Sequence, residues 1–259
     1  MRSILAVFVS LFFFLANAQD RQVDEGLQEK LEAATRNFQG DVGIYVKHLK
    51  SGREVAINAD TVFPTASIVK IPILVKLFDK IDKGELGLND TLIYTEDRHY
   101  GGSGLMQFFK DSTKTDIRIL ASLMITQSDN VTSLWSQELT GGGKEINALM
   151  HELGLEHTRV NSRTKGREKI WEKYGWGQTT PREMSRLVIM MRNRELISAA
   201  ASDEMYRLLS NSFYTDYVLS QIPPFVQTAA KQGMVNRSRS EVVLVNAPSG
   251  DYVLYIATK

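Results

Sequence analysis

Cysteine is absent from all 259 residues. That excludes a disulfide scaffold, a thiolate metal site, a cysteine nucleophile and a lipid anchor attached through cysteine. An excess of one charge is missing too. The 31 Lys and Arg residues face 30 Asp and Glu residues, a net charge of +1, and no long basic run stands out. Neither nucleic acid nor an acidic lipid surface is expected as a partner. Histidine is limited to 4 residues. His151 and His157 stand six apart with Gly154 between them, whereas H-E-x-x-H requires two histidines four apart on one helical face. His48 and His99 are distant in sequence. No metal site and no cofactor are expected. A G-x-S-x-G nucleophile elbow is also missing, since Gly102-Ser103-Gly104 has the wrong spacing. Gly141-Gly142-Gly143-Lys144 lacks the rest of a phosphate loop.

What is present suits a globular protein, with 43% hydrophobic and 24% charged residues. The N-terminal segment reads differently. Met1-Arg2 is followed by an almost wholly apolar run over 4–15, then by Ala16-Asn17-Ala18 and the polar Gln19-Asp20-Arg21. This pattern predicts a signal peptide over 1–18, cut after Ala18, and a mature chain over 19–259. The run is short for a bilayer span, so no stable membrane insertion is expected after cleavage. A bacterial periplasm or the exterior fits a cysteine-free exported chain.

Apolar spacing places a helix over 23–38 through Leu27, Leu31, Ala34 and Phe38, and strands over 42–49 and 54–57 around a Ser51-Gly52 turn. Ile117, Leu120, Ala121, Met124 and Ile125 form one helical stripe. A further helix starts at Thr180, with Pro181 at its first position, Glu183 completing a capping box, and Met184, Leu187, Val188 and Met191 on its buried face. Strands return over 228–234, 241–246 and 252–257. The expected fold class is α+β: an antiparallel sheet built from both chain ends (19–62 and 205–259) flanked by helices, and a central helical lobe (63–204). A cleft between the two lobes would hold the site.

Three short motifs carry chemistry. Ser67-Ile68-Val69-Lys70 opens an apolar helix, and residues three apart share a helical face, so the Lys70 amine can reach the Ser67 hydroxyl. A serine hydroxyl needs a base, and lysine serves as one only when neutral, a state favoured by burial and by a second cation nearby. A helix N-terminus at Ser67 also offers N–H groups to a developing oxyanion. Ser162-Arg163-Thr164-Lys165 repeats the same pattern and is read as chance. Ser128-Asp129-Asn130, at the end of the 117–125 helix, could place the Ser128 hydroxyl in a proton relay and the Asn130 amide on a substrate carbonyl. Lys231-Gln232-Gly233 lies on a strand whose edge could meet a substrate amide, with Lys231 as a positive charge. Tyr100 and Trp176 are candidates for the cleft wall.

S-x-x-K, S-D-N and K-x-G in this order, on helix, helix end and strand, resemble the signature of class A β-lactamases and the related penicillin-binding serine hydrolases. Local matches at Gly102-Ser103-Gly104-Leu105-Met106-Gln107, Gly141-Gly142 and Thr179-Thr180-Pro181 extend the resemblance over nearly all of the mature chain. It implies a hydrolase that opens a β-lactam, or a small acyl-D-Ala-D-Ala-like molecule, through an acyl-enzyme on Ser67. Lys70 and Ser128 would be catalytic with it. Asn130, Lys231, Gly233 and Met234 would bind substrate, with the N–H groups of Ser67 and Met234 as the oxyanion hole. A monomer is expected.

Two departures from the family pattern stand out. Gln232 replaces the hydroxyl residue of K-[TS]-G that would bind a substrate carboxylate. The E-x-x-L-N loop that carries the deacylating glutamate is missing between Thr158-Arg159-Val160 and Pro181, and its offset falls on Thr164. Glu172, next to Trp171, and Glu168 are the glutamates left in that loop. Slow deacylation, as in a penicillin-binding or sensor-like protein, is therefore the alternative to a working β-lactamase, with a related peptidase or esterase beside it.

Overall fold

A computed structural model describes residues 22–259, and the signal peptide predicted over 1–18 lies outside the described residues. The chain runs through α1 (Glu25–Thr35), β1 (Val42–His48), β2 (Glu54–Ile57), β3 (Phe63–Pro64), α2 (Lys70–Asp82), β4 (Thr91–Tyr94), β5 (Thr113–Asp116) and α3 (Ile117–Thr126). It continues through α4 (Asn130–Leu139), α5 (Gly143–Glu152), β6 (Arg159–Val160), α6 (Glu168–Tyr174), β7 (Gly177–Thr179), α7 (Pro181–Arg192) and α8 (Ala199–Leu209). It ends with β8 (Thr228–Val235), β9 (Ser238–Val245) and β10 (Tyr252–Thr258).

Both chain ends meet in one antiparallel sheet of order β2-β1-β10-β9-β8. Tyr45 lies opposite Tyr255, and Asp41 N–H donates to the Lys259 carbonyl at 2.9 Å. In β9 the run Val242-Val243-Leu244-Val245 is apolar without alternation because both faces are covered. Val242 and Leu244 join the main core, while Val243 and Val245 pack under Val218, Leu219, Ile222 and Val226. The strap over 213–227 that supplies those four residues has no counterpart among the elements expected from periodicity.

α7 packs on β1, β9 and β10, and α8 packs on β8. Both helices that follow β7 therefore touch the sheet. The helical half is organised around α2, where Ile71, Ile73, Leu74, Val75 and Leu77 have no solvent exposure. A helix apolar on all sides belongs inside a core, and α3, α4, α5 and α8 surround this one.

Local chemistry departs from expectation at three points. Ser67 lies in a 3-10 turn, Ala66–Val69, ahead of α2, and Ala66 has φ +45°. Ser128-Asp129-Asn130 follows the end of α3 as expected but also opens a further helix, α4, with Ser128 at φ +52° and Asp129 capping α4. The capping box at α7 is half closed. Thr180 Oγ1 accepts from Glu183 N–H at 3.2 Å, but the Glu183 carboxylate accepts instead from His157 N–H and the Thr158 hydroxyl.

These elements press the Ala66–Val69 turn against the edge of β8. A Cβ built on Gly233 would collide with the Thr65 carbonyl oxygen and lie 2.9 Å from Ser240 Oγ. Gly233→Ala is expected to destabilise the protein by about 1–3 kcal/mol, the usual cost of overpacking. Denaturant unfolding checks this; an unchanged midpoint would mean that β8 and the turn are not in close contact.

Candidate active site

Five of the motif residues converge. α2 starts at Lys70, so its side chain points into the junction of the two halves, where it has no solvent exposure. Its Nζ lies 2.8 Å from Ser67 Oγ, 2.7 Å from the Ser128 carbonyl, 3.0 Å from Asn130 Oδ1 and 3.2 Å from Ser128 Oγ. Two of these partners, the carbonyl and Oδ1, can only accept. A neutral amine has two N–H groups to give them and keeps one lone pair for a hydroxyl proton. Charge and burial agree with that state. Burial pushes the Lys70 pKa well below the usual lysine range, the nearby Lys231 pushes it further, and Asp129 opposes them.

The Ser128 hydroxyl bridges the two lysines, with Lys231 Nζ donating to it at 2.9 Å. Lys231 also donates to the Gln232 carbonyl at 3.0 Å. It is 1% exposed, and burial lowers its pKa to about 7 against the opposing charge of Glu241.

The left-handed backbone at Ser128 is held by its neighbour. Asp129 is fully buried; its carboxylate accepts from Thr132 N–H at 2.9 Å and from Met106 N–H at 2.7 Å. Gly104, at φ +107°, leaves the space that this carboxylate fills. Asn130 donates from its backbone N–H to the Ser103 carbonyl and from Nδ2 to the Gly101 carbonyl. The Gly102–Gln107 match thus forms the rim that fixes S-D-N.

Ser67, Tyr100, Asn130, Trp171, Glu172 and Met234 line an open cleft of about 600 Å³. Tyr100 and Trp176 meet edge to face at 5.4 Å, and Trp176 also stands over Lys70, 5.8 Å from Nζ. Gly233 faces the Thr65–Ala66 backbone, and Met234 reaches the cleft mouth.

The loop glutamates stand elsewhere than at the lysine. Neither Glu168 nor Glu172 is a hydrogen-bond partner of Ser67 or Lys70. Glu168 accepts from Gly166 N–H at 3.0 Å and lines a neighbouring cavity of about 500 Å³. Glu172 lines both that cavity and the Ser67 cleft. Thr164 is buried and donates to the Ser162 carbonyl. The second S-x-x-K is not a catalytic pair: the Ser162 hydroxyl donates to Gln137 Oε1 inside the fold, while Lys165 is exposed.

Sequence reasoning missed Glu241. It reads as the polar start of a strand, yet it is 2% exposed and stands opposite Gln232 across the β8–β9 pair. Burial raises its carboxyl pKa to about 7. One charged residue heading an unbroken apolar run was the available signal. Among the described residues, no three His, Asp or Glu side chains converge to hold a metal ion.

Known proteins resemble the chain over most of its length. The model of the beta-lactamase enzyme family matches residues 26–259. Beta-lactamase VEB-1 of Pseudomonas aeruginosa is 22% identical over 266 residues, covering 98% of this chain and 88% of that one. A beta-lactamase of Bacteroides uniformis is 26% identical over 201 residues, 76% of this chain and 68% of that one. The solved structure of PBP-A superposes with a TM-score of 0.83 at 26% identity, over 92% of this chain and 89% of its own. A beta-lactamase structure from Sphaerobacter thermophilus shares the fold at a TM-score of 0.81 and 22% identity, over 91% of this chain and 88% of its own. The α+β class expected from the sequence is the fold of these structures.

Burial of Lys231 has a measurable cost. Its pKa is lower folded than unfolded, so the unfolded chain binds more protons between about 7 and the usual lysine value. Stability therefore rises with pH across that window and is lost as pH falls toward 7. Unfolding free energies of the wild type and Lys231→Met are expected to diverge in favour of the wild type from pH 7 to 10, by up to about 1.4 kcal/mol per pH unit. Parallel pH profiles would show that Lys231 keeps its proton in the folded protein.

Proposed function

Because the chain belongs to the beta-lactamase enzyme family, we propose that it is a serine hydrolase that opens β-lactam amides through an acyl-enzyme on Ser67 and deacylates slowly. The observation that carries this reading is Lys70 Nζ at 2.8 Å from Ser67 Oγ, with two acceptor-only oxygens taking its N–H groups. Ser67 Oγ attacks the lactam carbonyl carbon while its proton passes to Lys70. The N–H groups of Ser67 and Met234 stabilise the oxyanion. As the tetrahedral adduct collapses, the C–N bond breaks and the nitrogen takes the proton of the Ser128 hydroxyl, which is replenished from Lys70. Lys231 holds Ser128 in place, and Asn130 orients Lys70 and the substrate's amide side chain. The solved structure of a PBP-A mutant as an acyl-enzyme with penicillin G supports the covalent step in this fold.

Deacylation needs a base for water. Glu172 is the carboxylate that faces the Ser67 cleft, while Glu168 is turned to the Gly166 N–H. Glu172 makes no bond to Lys70, which supports slow release and favours a penicillin-binding or sensor-like role as the second reading. The predicted leader supports action in the periplasm or outside the cell, and a small substrate and a monomeric enzyme complete the proposal.

Intact mass of the mature protein with a penicillin, followed over time alongside lactam absorbance, tests this. A penicillin adduct is expected on Ser67 that clears slowly as lactam is consumed, and Ser67→Ala should form none. Hydrolysis by the alanine variant would sink the mechanism. An adduct that never clears selects the second reading. Glu172→Gln should lengthen the adduct's lifetime on the order of a hundredfold, a typical contribution from a general base, with acylation unchanged. Glu168→Gln should leave both steps as they are.

A further inference from the structure

Glu241 is buried, ionisable and unused by the chemistry above. It stands on the face of β8–β9 opposite the cleft, where Ala230, Val243 and Val245 pack under the strap. Its Oε2 accepts from Val218 N–H at 2.9 Å, and its Oε1 accepts from Gln232 Nε2 at 3.4 Å. The same Gln232 amide donates to the Asp216 carbonyl at 3.1 Å. Gln232 therefore does not offer its amide to the cleft. It points to the far face of the strand, and its backbone carbonyl accepts a hydrogen bond from Lys231 Nζ. One residue thus joins the carboxylate on one face to the ammonium on the other.

Lys231 needs such a partner. It is buried beside the Lys70 amine, and the one carboxylate that raises its pKa is Glu241. Across a low-dielectric strand, charge acts at longer range than in water. The groups facing Glu241 are few. Gln232 comes from β8, with Lys231 behind it on the opposite face; the Asp216 carboxylate, Tyr217 and the Val218 N–H come from the strap, and Arg239 from its own strand; Ile256 and Thr258 of β10 are uncharged.

We infer that Glu241 is a positioning residue for acylation: its carboxylate clamps Gln232 and the 216–218 strap against β8 and acts as the internal counter-ion that keeps Lys231 a cation at Ser128. The inference rests on the proposed acyl-enzyme reaction. It also accounts for Gln232: an amide spans from the strand to Glu241 and the Asp216 carbonyl, which a serine or threonine hydroxyl is too short to do.

The test is the pH dependence of the second-order acylation rate with a penicillin, whose carboxylate stays ionised throughout, between pH 6 and 9. That rate reports the ionisations of the free enzyme. Removing a nearby negative charge lowers a lysine pKa, so Glu241→Gln should lose acylation at lower pH than the wild type. The expected shift of the alkaline limb is about one unit, or roughly tenfold slower acylation at its foot. Glu241→Asp, which restores the charge, should move the limb back. A loss of clamp geometry alone would slow the reaction equally at every pH. A folded Glu241→Gln with an unshifted limb overturns the inference while leaving the acyl-enzyme intact. Failure of the wild type to form any adduct overturns the proposed function and the inference with it. If Glu241→Gln does not fold, the wild type decides: the Glu241 carboxyl carbon and the Lys231 amine nitrogen, followed by NMR, should respond to each other's titration, and independent titrations overturn the counter-ion role.

Discussion

The Lys70 amine lies where both halves of the molecule meet. Its oxygens come from the turn before α2, from the α3–α4 junction and from the first turn of α4. A buried amine left without partners would be expensive. The fold therefore has to bring these segments into register, and most of the unusual backbone nearby serves that end. Ala66 and Ser128 both adopt positive φ, each within one turn of a group that meets Lys70. Strain at these positions is consistent with a site that the surrounding packing over-determines.

Electrostatics complete the arrangement. Two lysines are buried within reach of one serine hydroxyl, and two buried carboxylates answer them from behind. Asp129 sits beneath S-D-N, tied to the rim through Met106 and to α4 through Thr132. Glu241 sits behind β8. Neither is aimed at substrate. Under the proposed mechanism they balance charge while leaving the hydroxyls of Ser67 and Ser128 to meet the reacting atoms, and a preorganised field of this kind is a large part of enzymatic rate enhancement.

Much of this was legible in the sequence because the motifs fix chemistry by local spacing. S-x-x-K needs only one helical turn to bring its two residues together. The strands of both chain ends were visible in their apolar patterns and turns. The strap over 213–227 was not, because it has little regular structure and its role depends on the sheet face it covers. Glu241 was hidden for the same reason: burial of a single carboxylate is decided by the strap, far from any local pattern. That Ser128-Asp129-Asn130 also opens α4 is not legible in the motif, because an aspartate that caps the next helix and one that merely follows the last look alike until the next helix is placed. The loop glutamates could be named but not ranked, since facing one cavity or the other depends on how α6 sits.

The sheet's strand order has a consequence for how the protein matures. Ser67 is made early in the chain, but β8 and its lysine arrive only in the last stretch, and β10 must insert between β1 and β9 to complete the sheet. Contacts of such long sequence separation form slowly. A chain emerging from synthesis therefore carries Ser67 without Lys231 at its side. On the proposed function, Ser67 would stay unarmed until β8 is delivered, so the order of the polypeptide itself would keep the site silent in the incomplete protein.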